Sequence, residues 1–305
     1  MTRSIKFTEA SARRPVTIVG AGFAYPLILM KFSVLSFCLL LSLLLAAPLP
    51  ASARSADQVD LELVLAVDVS HSMDRTEQRL QRDGYVHALR HRDVVRAIKS
   101  GPNGRIAIAY MEWGDPGFQS IVLPWRIIGS QQDADKVATE LARQPIAVAR
   151  RTSISAALRV AAHMIARNGI SSLRQVIDVS GDGPNNIGEP VADARTDVIG
   201  QGIVINGLPF IVKRPHQISS FFSVPDIDRY YEDCVIGGNG AFSIPVSNQQ
   251  EFTTAIRRKL INEIAAYPPT PRLLRRIQFN PAPKTHARTY DCLAGEKLWD
   301  AFQKE

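Results

Sequence analysis

Apolar positions in this chain fall into runs of two kinds. Short, nearly unbroken runs occur in "ELVLAVD" (Glu62–Asp68), "RIAIAYMEW" (Arg105–Trp113) and "QVIDVS" (Gln175–Ser180). Runs of that length without a polar face predict strands buried on both sides. The stretches between them are longer and place apolar residues three and four apart, the period of a helix packed along one face. Asp60 to Asp68 is thus read as the first strand. Asp74, with Glu77 three positions on, predicts a capped helix running to about Ser100. Gly101-Pro102-Asn103-Gly104 then turns the chain.

Arg105–Trp113 and Gln119–Ile128 follow as the second and third strands, and Ser130 opens a helix to about Arg143, ending near Pro145. Thr152 opens another helix, with Ile154, Leu158, Ala161 and Ile165 on one face. Gln175–Ser180 reads as a strand, Gly188–Gln201 as a helix and Ile203–Val212 as a strand around Gly207. Residues 213–240 are expected to be irregular, "AFSIPV" to be a last short strand and Asn248–Ala266 a last helix. Strands alternating with helices imply an α/β, Rossmann-like doubly wound fold: a mainly parallel central sheet with helices on both faces. Ligands of such sheets bind beyond the carboxyl ends of the strands, which is where Asp68, Glu112 and Asp182 fall.

Residues 30–53, "MKFSVLSFCLLLSLLLAAPLPASA", break this pattern. Lys31, the apolar run Phe32–Ala47 and the small residues Ala51-Ser52-Ala53 form a signal peptide with cleavage after Ala53. The alternative is a membrane anchor, although the run is shorter than the ~20 residues a bilayer span needs. Cys38 is a poor lipidation site because bulky Phe37 precedes it. Met30 is a natural first residue for this signal, so translation is expected to begin there, leaving residues 1–29 as an extension upstream of the protein. Within that extension "TIVGAGFAYP" mimics a dinucleotide fingerprint but lacks the third glycine and carries Pro26 where a helix should open. The expected organisation is a domain over residues 54–266 and a proline- and arginine-rich tail, 267–305, packed on it. The protein is expected in the periplasm or outside the cell, without a stable membrane anchor after cleavage.

Cleavage changes the charge. Of 36 Lys/Arg and 29 Asp/Glu, five bases and one acid lie in residues 1–53, leaving 31 against 28. A net charge of +3 does not call for a nucleic-acid partner. It also leaves two cysteines, Cys234 and Cys292. In an exported chain these are either a disulfide, worth roughly 4 kcal/mol through the loop it closes, or two separate buried thiols.

The chemistry lies at the strand ends. Asp68, Ser70 and Ser72 alternate in "DVSHSM", so an extended turn directs one carboxylate and two hydroxyls to one side. These are hard oxygen donors of the kind magnesium takes. Thr152 in "RTSISAAL" and Asp182 in "VSGDG" lie near other strand ends; each alone is equally an N-cap or a turn residue. Together the three motifs resemble the metal-ion-dependent adhesion site (MIDAS) of the von Willebrand factor type A (vWA) fold, over about residues 59–266. "YMEWGDPG", "DVSGDGPNN" and "DCVIGGNGAF" also resemble an exported proteobacterial family with such a domain and no assigned activity.

The resemblance implies a divalent-cation site made by Asp68, Ser70, Ser72, Thr152 and Asp182. Magnesium is the expected ion, with manganese or calcium as alternatives, and the expected partner is a protein presenting Asp or Glu. Glu112 is either an outer group bonded to a metal-bound water or an ordinary strand-end acid. "FFSVPDIDRYYEDC" forms either a lid or partner surface near Cys234, or a pinned surface loop. The competing readings are a metal-dependent phosphohydrolase and a purely structural metal. A phosphoaspartate enzyme wants a second carboxylate two residues after the nucleophile, and position 70 is serine. Adjacent Ser70, His71 and Ser72 do not make a triad, and "GDG" holds no nucleophile elbow. No enzymatic activity is expected.

N-terminal sequencing of the exported protein is expected to begin at Arg54. A tryptic peptide from residues 15–31 would overturn the Met30 start.

Overall fold

A computed structural model describes residues 58–211, 224–248, 251–265 and 289–304. The expected extension, the signal peptide and the first part of the tail lie outside these residues. Among the described residues, no helix is long and apolar enough to cross a membrane.

In chain order the elements are β1 (Gln58–Val59), β2 (Leu61–Asp68), α1 (Arg75–Arg90), α2 (Arg92–Ser100), β3 (Ile106–Trp113), β4 (Gln119–Ile128) and α3 (Gln131–Ala142). There follow α4 (Ile154–Ala166), β5 (Ser171–Ser172), β6 (Gln175–Gly181), α5 (Val191–Gly200), β7 (Val204–Pro209) and α6 (Ile227–Tyr230), which continues into a wide turn at Tyr231–Val235. The last two are α7 (Phe252–Ala265) and α8 (Ala294–Phe302).

The central sheet has the order β4-β3-β2-β6-β7. Its strands pair in parallel except β4, which runs antiparallel to β3. The sheet is therefore mixed, with β2 at its centre. Because side chains alternate along a strand, β2 supplies two cores. Leu61, Leu63, Leu65 and Val67 pack beneath α1, α2, α3 and α7. Val64 and Ala66 pack against α4, α5 and the α6 segment.

Several boundaries differ from expectation for local reasons. The helix expected from Asp74 to about Ser100 breaks at His91, whose extended backbone (φ −71°, ψ 133°) and imidazole cap α2 by accepting the Asp93 N–H. At its start, Asp74 and Glu77 do form the capping box. Ser153 rather than Thr152 caps α4, which frees Thr152 from that role. "AFSIPV" adds only isolated bridges, Ser243 to Gly207 and Val246 to Phe210. In the tail, residues 289–304 contain α8, which the sequence pattern did not predict.

One buried charge cluster ties α7 to the sheet. Lys259, 1% exposed, pairs with Asp178 of β6 at 2.5 Å and with Glu263 one turn on. Asn206 of β7 donates to Glu263 at 3.1 Å, and Tyr85 of α1 faces Asp178 at 3.4 Å. A single cation thus serves two carboxylates. Burial, then the Asp178 charge, pushes Glu263 up to about 7. Its ordinary value is 4.5, so between these values the folded protein holds a proton that the unfolded chain has lost. The contribution of Glu263 to stability is complete below that ordinary value and fades as pH rises through about 7. Urea unfolding across this range is expected to show a shallower fall of stability in Glu263→Gln than in wild type; an identical slope would contradict the assignment. Lys259→Met leaves both carboxylates buried without a cation and is expected to cost about 3–5 kcal/mol in the same measurement.

Candidate metal centre

β2 ends in a carboxylate because the sheet ends there: Asp68 is the last residue of the strand and is fully buried. The chain then turns sharply, and the Ser70 N–H donates back to Asp68 Oδ1 at 2.7 Å. Neighbouring elements fix this turn. Val69 donates to the Trp113 carbonyl at 3.0 Å and accepts from the Ala149 N–H at 2.9 Å. Gln78, from the first turns of α1, donates to the carbonyls of Val69 and Met73. The loop is therefore held by backbone on two sides and by the Gln78 amide on a third, and its side chains project from a fixed frame.

The hydroxyls form a chain. Ser70 Oγ and Ser72 Oγ are 2.8 Å apart, and Ser72 Oγ donates to Asp182 Oδ1 at 2.5 Å. Asp182 follows directly on β6, next to β2 in the sheet. The third loop is sewn to the second by reciprocal amides. Thr152 N–H donates to Asn186 Oδ1 at 3.1 Å, and Asn186 N–H donates to the Thr152 carbonyl at 2.9 Å. Asn185 Oδ1 accepts from Ser155 N–H at 3.0 Å. A Cβ built on Gly183 would come 3.8 Å from Thr152 Oγ1, which sets that hydroxyl beside the Asp182 loop.

Two glycines permit this approach. Gly114, after β3, packs its bare Cα against Ala149 while its carbonyl accepts the Ser153 N–H at 2.8 Å. At Gly181 a Cβ would lie 2.7 Å from Asp68 Oδ2 and 2.9 Å from the Tyr231 hydroxyl. Both of these oxygens are buried and neither has a hydrogen-bond partner.

The electrostatics of the pair are unbalanced. Burial, and then the Asp182 charge, holds Asp68 well above the usual carboxylate range. Burial pushes Asp182 up to about 6. What opposes these shifts is hydrogen bonding from Ser70, Ser72 and backbone N–H groups rather than a cationic side chain. Two carboxylates without a counter-charge, three neutral hydroxyls and an orphaned acceptor oxygen make a donor set that fits a hard divalent cation. Among the described residues, no group of three or more His, Cys, Asp or Glu side chains is placed to hold a metal. The donors here are a mixed set of carboxylates and hydroxyls.

Glu112 does not join this cluster. It pairs in register with Val67, whereas Asp68 pairs with Trp113, so its side chain points to the opposite face of the sheet. There it is buried against Arg82 and accepts the Ala147 N–H at 3.2 Å. Arg82 also donates to the carbonyls of Leu141 and Gln144. Glu112 thus anchors the end of α3 and the loop leading toward Thr152.

Sequence reasoning missed Asn185, Asn186, Tyr230 and Tyr231. The asparagines lie in "GDGPNN", where their proximity to Asp182 was a usable signal. Tyr230 and Tyr231 gave none beyond aromaticity, because their contacts are distant in sequence: the Tyr230 hydroxyl accepts the Asn185 N–H at 3.1 Å. The two cysteines are joined, Cys234 to Cys292, with Cα atoms 5.4 Å apart. Just beyond Cys292, α8 meets the site loops: Glu296 accepts from Asn185 Nδ2 at 2.7 Å, and the Arg151 guanidinium lies 3.9 Å over the Trp299 ring.

Proteins of similar fold are known. Proximal thread matrix protein 1 from the mussel byssus aligns with a TM-score of 0.50 at 12% identity, over 68% of this chain and 49% of that one. It has also been solved with a zinc-occupied MIDAS motif. The pilus adhesin SpaC from Lactobacillus rhamnosus GG gives 0.49 at 10% identity, over 68% and 31%. A von Willebrand factor type A protein from Catenulispora acidiphila gives 0.48 at 13%, over 68% and 43%. This chain spans less than half the length of each of these proteins. The relationship is a distant, vWA-like one and concerns the fold. No curated protein matches the sequence. The sequence profile described as "Protein of unknown function (DUF1194)" matches residues 58–268, most of the chain, and the chain belongs to that family.

Proposed function

We propose that the protein is an exported, ion-dependent protein-binding module. Asp68, Ser70, Ser72, Thr152 and Asp182 would hold a divalent cation, magnesium before manganese or calcium. The observation that carries this reading is the continuous chain Ser70–Ser72–Asp182 beside a buried Asp68 oxygen that has no partner. Bound there, the cation supplies an electrophilic position for the carboxylate of an Asp or Glu on a partner protein.

The residues divide this work. The carboxylates of Asp68 and Asp182 provide the charge that retains a cation. The three hydroxyls donate oxygen without adding charge, so a further anion remains welcome. Because α1, β3 and the Asn185–Asn186 loop fix the frame, the donors need little rearrangement, which lowers the ordering cost of binding. The contact of the Ser72 hydroxyl with Asp182 is read as two ligands of one ion rather than as a nucleophile with its base, which makes the site one for binding rather than turnover.

Thermal unfolding of the full chain is expected to shift upward with Mg2+ or Mn2+, by the equivalent of about 2.7 kcal/mol at a hundred times Kd. Asp68→Ala is expected to abolish the shift while keeping the fold in chelator. No shift in wild type with either ion would end the proposal. A pull-down from envelope extract is expected to recover the partner with magnesium and lose it in chelator; recovery in both would reduce the ion to a structural role. Gly181→Ala places a methyl group against Asp68 Oδ2, and calorimetry is expected to show ion affinity at least tenfold weaker.

A further inference from the structure

Resting on the ion site proposed above, we propose that Tyr231 is a positioning residue of that site: its phenol, donating directly or through one water, fixes the second oxygen of Asp68. The three metal-site motifs do not include this residue; it lies in "FFSVPDIDRYYEDC", a different part of the fold from the three site loops.

Tyr231 is fully buried, yet its hydroxyl has no hydrogen-bond partner. The same is true of Asp68 Oδ2. Both oxygens border one small space, the volume that a Cβ on Gly181 would occupy. One is a donor and the other an acceptor, and buried polar groups are rarely left unpaired. Two orphans of complementary type facing one gap therefore mark a contact, made directly or through one water.

The phenol is held at this spot by packing. Its ring closes on the bare Cα of Gly207 in β7 and meets Tyr230 edge-on at 6.4 Å. Three residues on, Cys234 is tied to Cys292, and Tyr290 donates its N–H to Asp233 at 2.8 Å. The segment that carries Tyr231 is thus pinned two and three residues beyond it. Partners that orient metal ligands in this way typically change metal affinity 10–100-fold when removed.

The test is a titration of the full chain with Mn2+ alone, read by electron paramagnetic resonance, on wild type, Asp68→Ala and Tyr231→Phe. Thermal unfolding in chelator is measured on the same samples. The expected result is Mn2+ binding weakened 10–100-fold in Tyr231→Phe, with its unfolding temperature in chelator equal to or above that of wild type, because an unpartnered hydroxyl has been removed. A purely structural role for Tyr231 would instead lower the unfolding temperature in chelator, and that result overturns the proposal. Equal affinities in wild type and Tyr231→Phe, with binding lost in Asp68→Ala, also overturn it and leave the ion site standing. Absence of Mn2+ binding in wild type removes the ion site itself, and the role of Tyr231 with it.

Discussion

A buried carboxylate, Asp68, set beside a half-buried one, Asp182, with no cationic side chain between them is the constraint around which this structure is arranged. Asp68 and Asp182 end adjacent parallel strands, so the sheet itself forces them to one rim. Ionised, they repel each other in a medium that screens poorly; neutral, they lose the reason for being there. Everything close by treats this tension. Serine hydroxyls and backbone N–H groups soften it, glycines let the partners come close, and the amides of Asn185 and Asn186 hold two of the loops together. A cation would resolve the tension outright.

The contrast with the Asp178–Lys259–Glu263 cluster is instructive. There the counter-charge is built into the chain, and the carboxylates clamp α7 to the sheet. One strand thus leads to both solutions: β6 supplies Asp178 to a cluster with an internal cation, and four residues later Asp182 enters one without. The difference separates a structural use of charge from one that leaves room for something external.

Much of this is readable in the sequence because it is local. Asp68, Ser70 and Ser72 share one turn; Asp182 sits between glycines; the apolar runs that end at these residues give the sheet. Strand parity puts Glu112 on the face opposite Met111 and Trp113, but which face Asp68 shares depends on the β2–β3 register, which pairs Asp68 with Trp113. What is not readable depends on distant partners. The break at His91 needs an imidazole to find the Asp93 N–H. The exchange of Thr152 for Ser153 as helix cap goes with Asn185, distant in sequence, taking the Ser155 N–H that a Thr152 cap would accept. Nothing in "DRYYEDC" indicates which of its two tyrosines reaches the rim of β2 and which supports the Asn185 backbone.

The disulfide has a consequence in time as well as in space. Synthesis runs from the first strand outward, so Asp68, Thr152 and Asp182 leave the ribosome well before Cys292 and the helix that follows it. Glu296 and Trp299, which lean on the Asn185 and Arg151 loops, arrive after the sheet is already drawn. A newly made chain would hold its three loops together without that outer brace until the segment carrying Cys292 and α8 has been delivered and oxidised, so maturation of the rim waits on that segment.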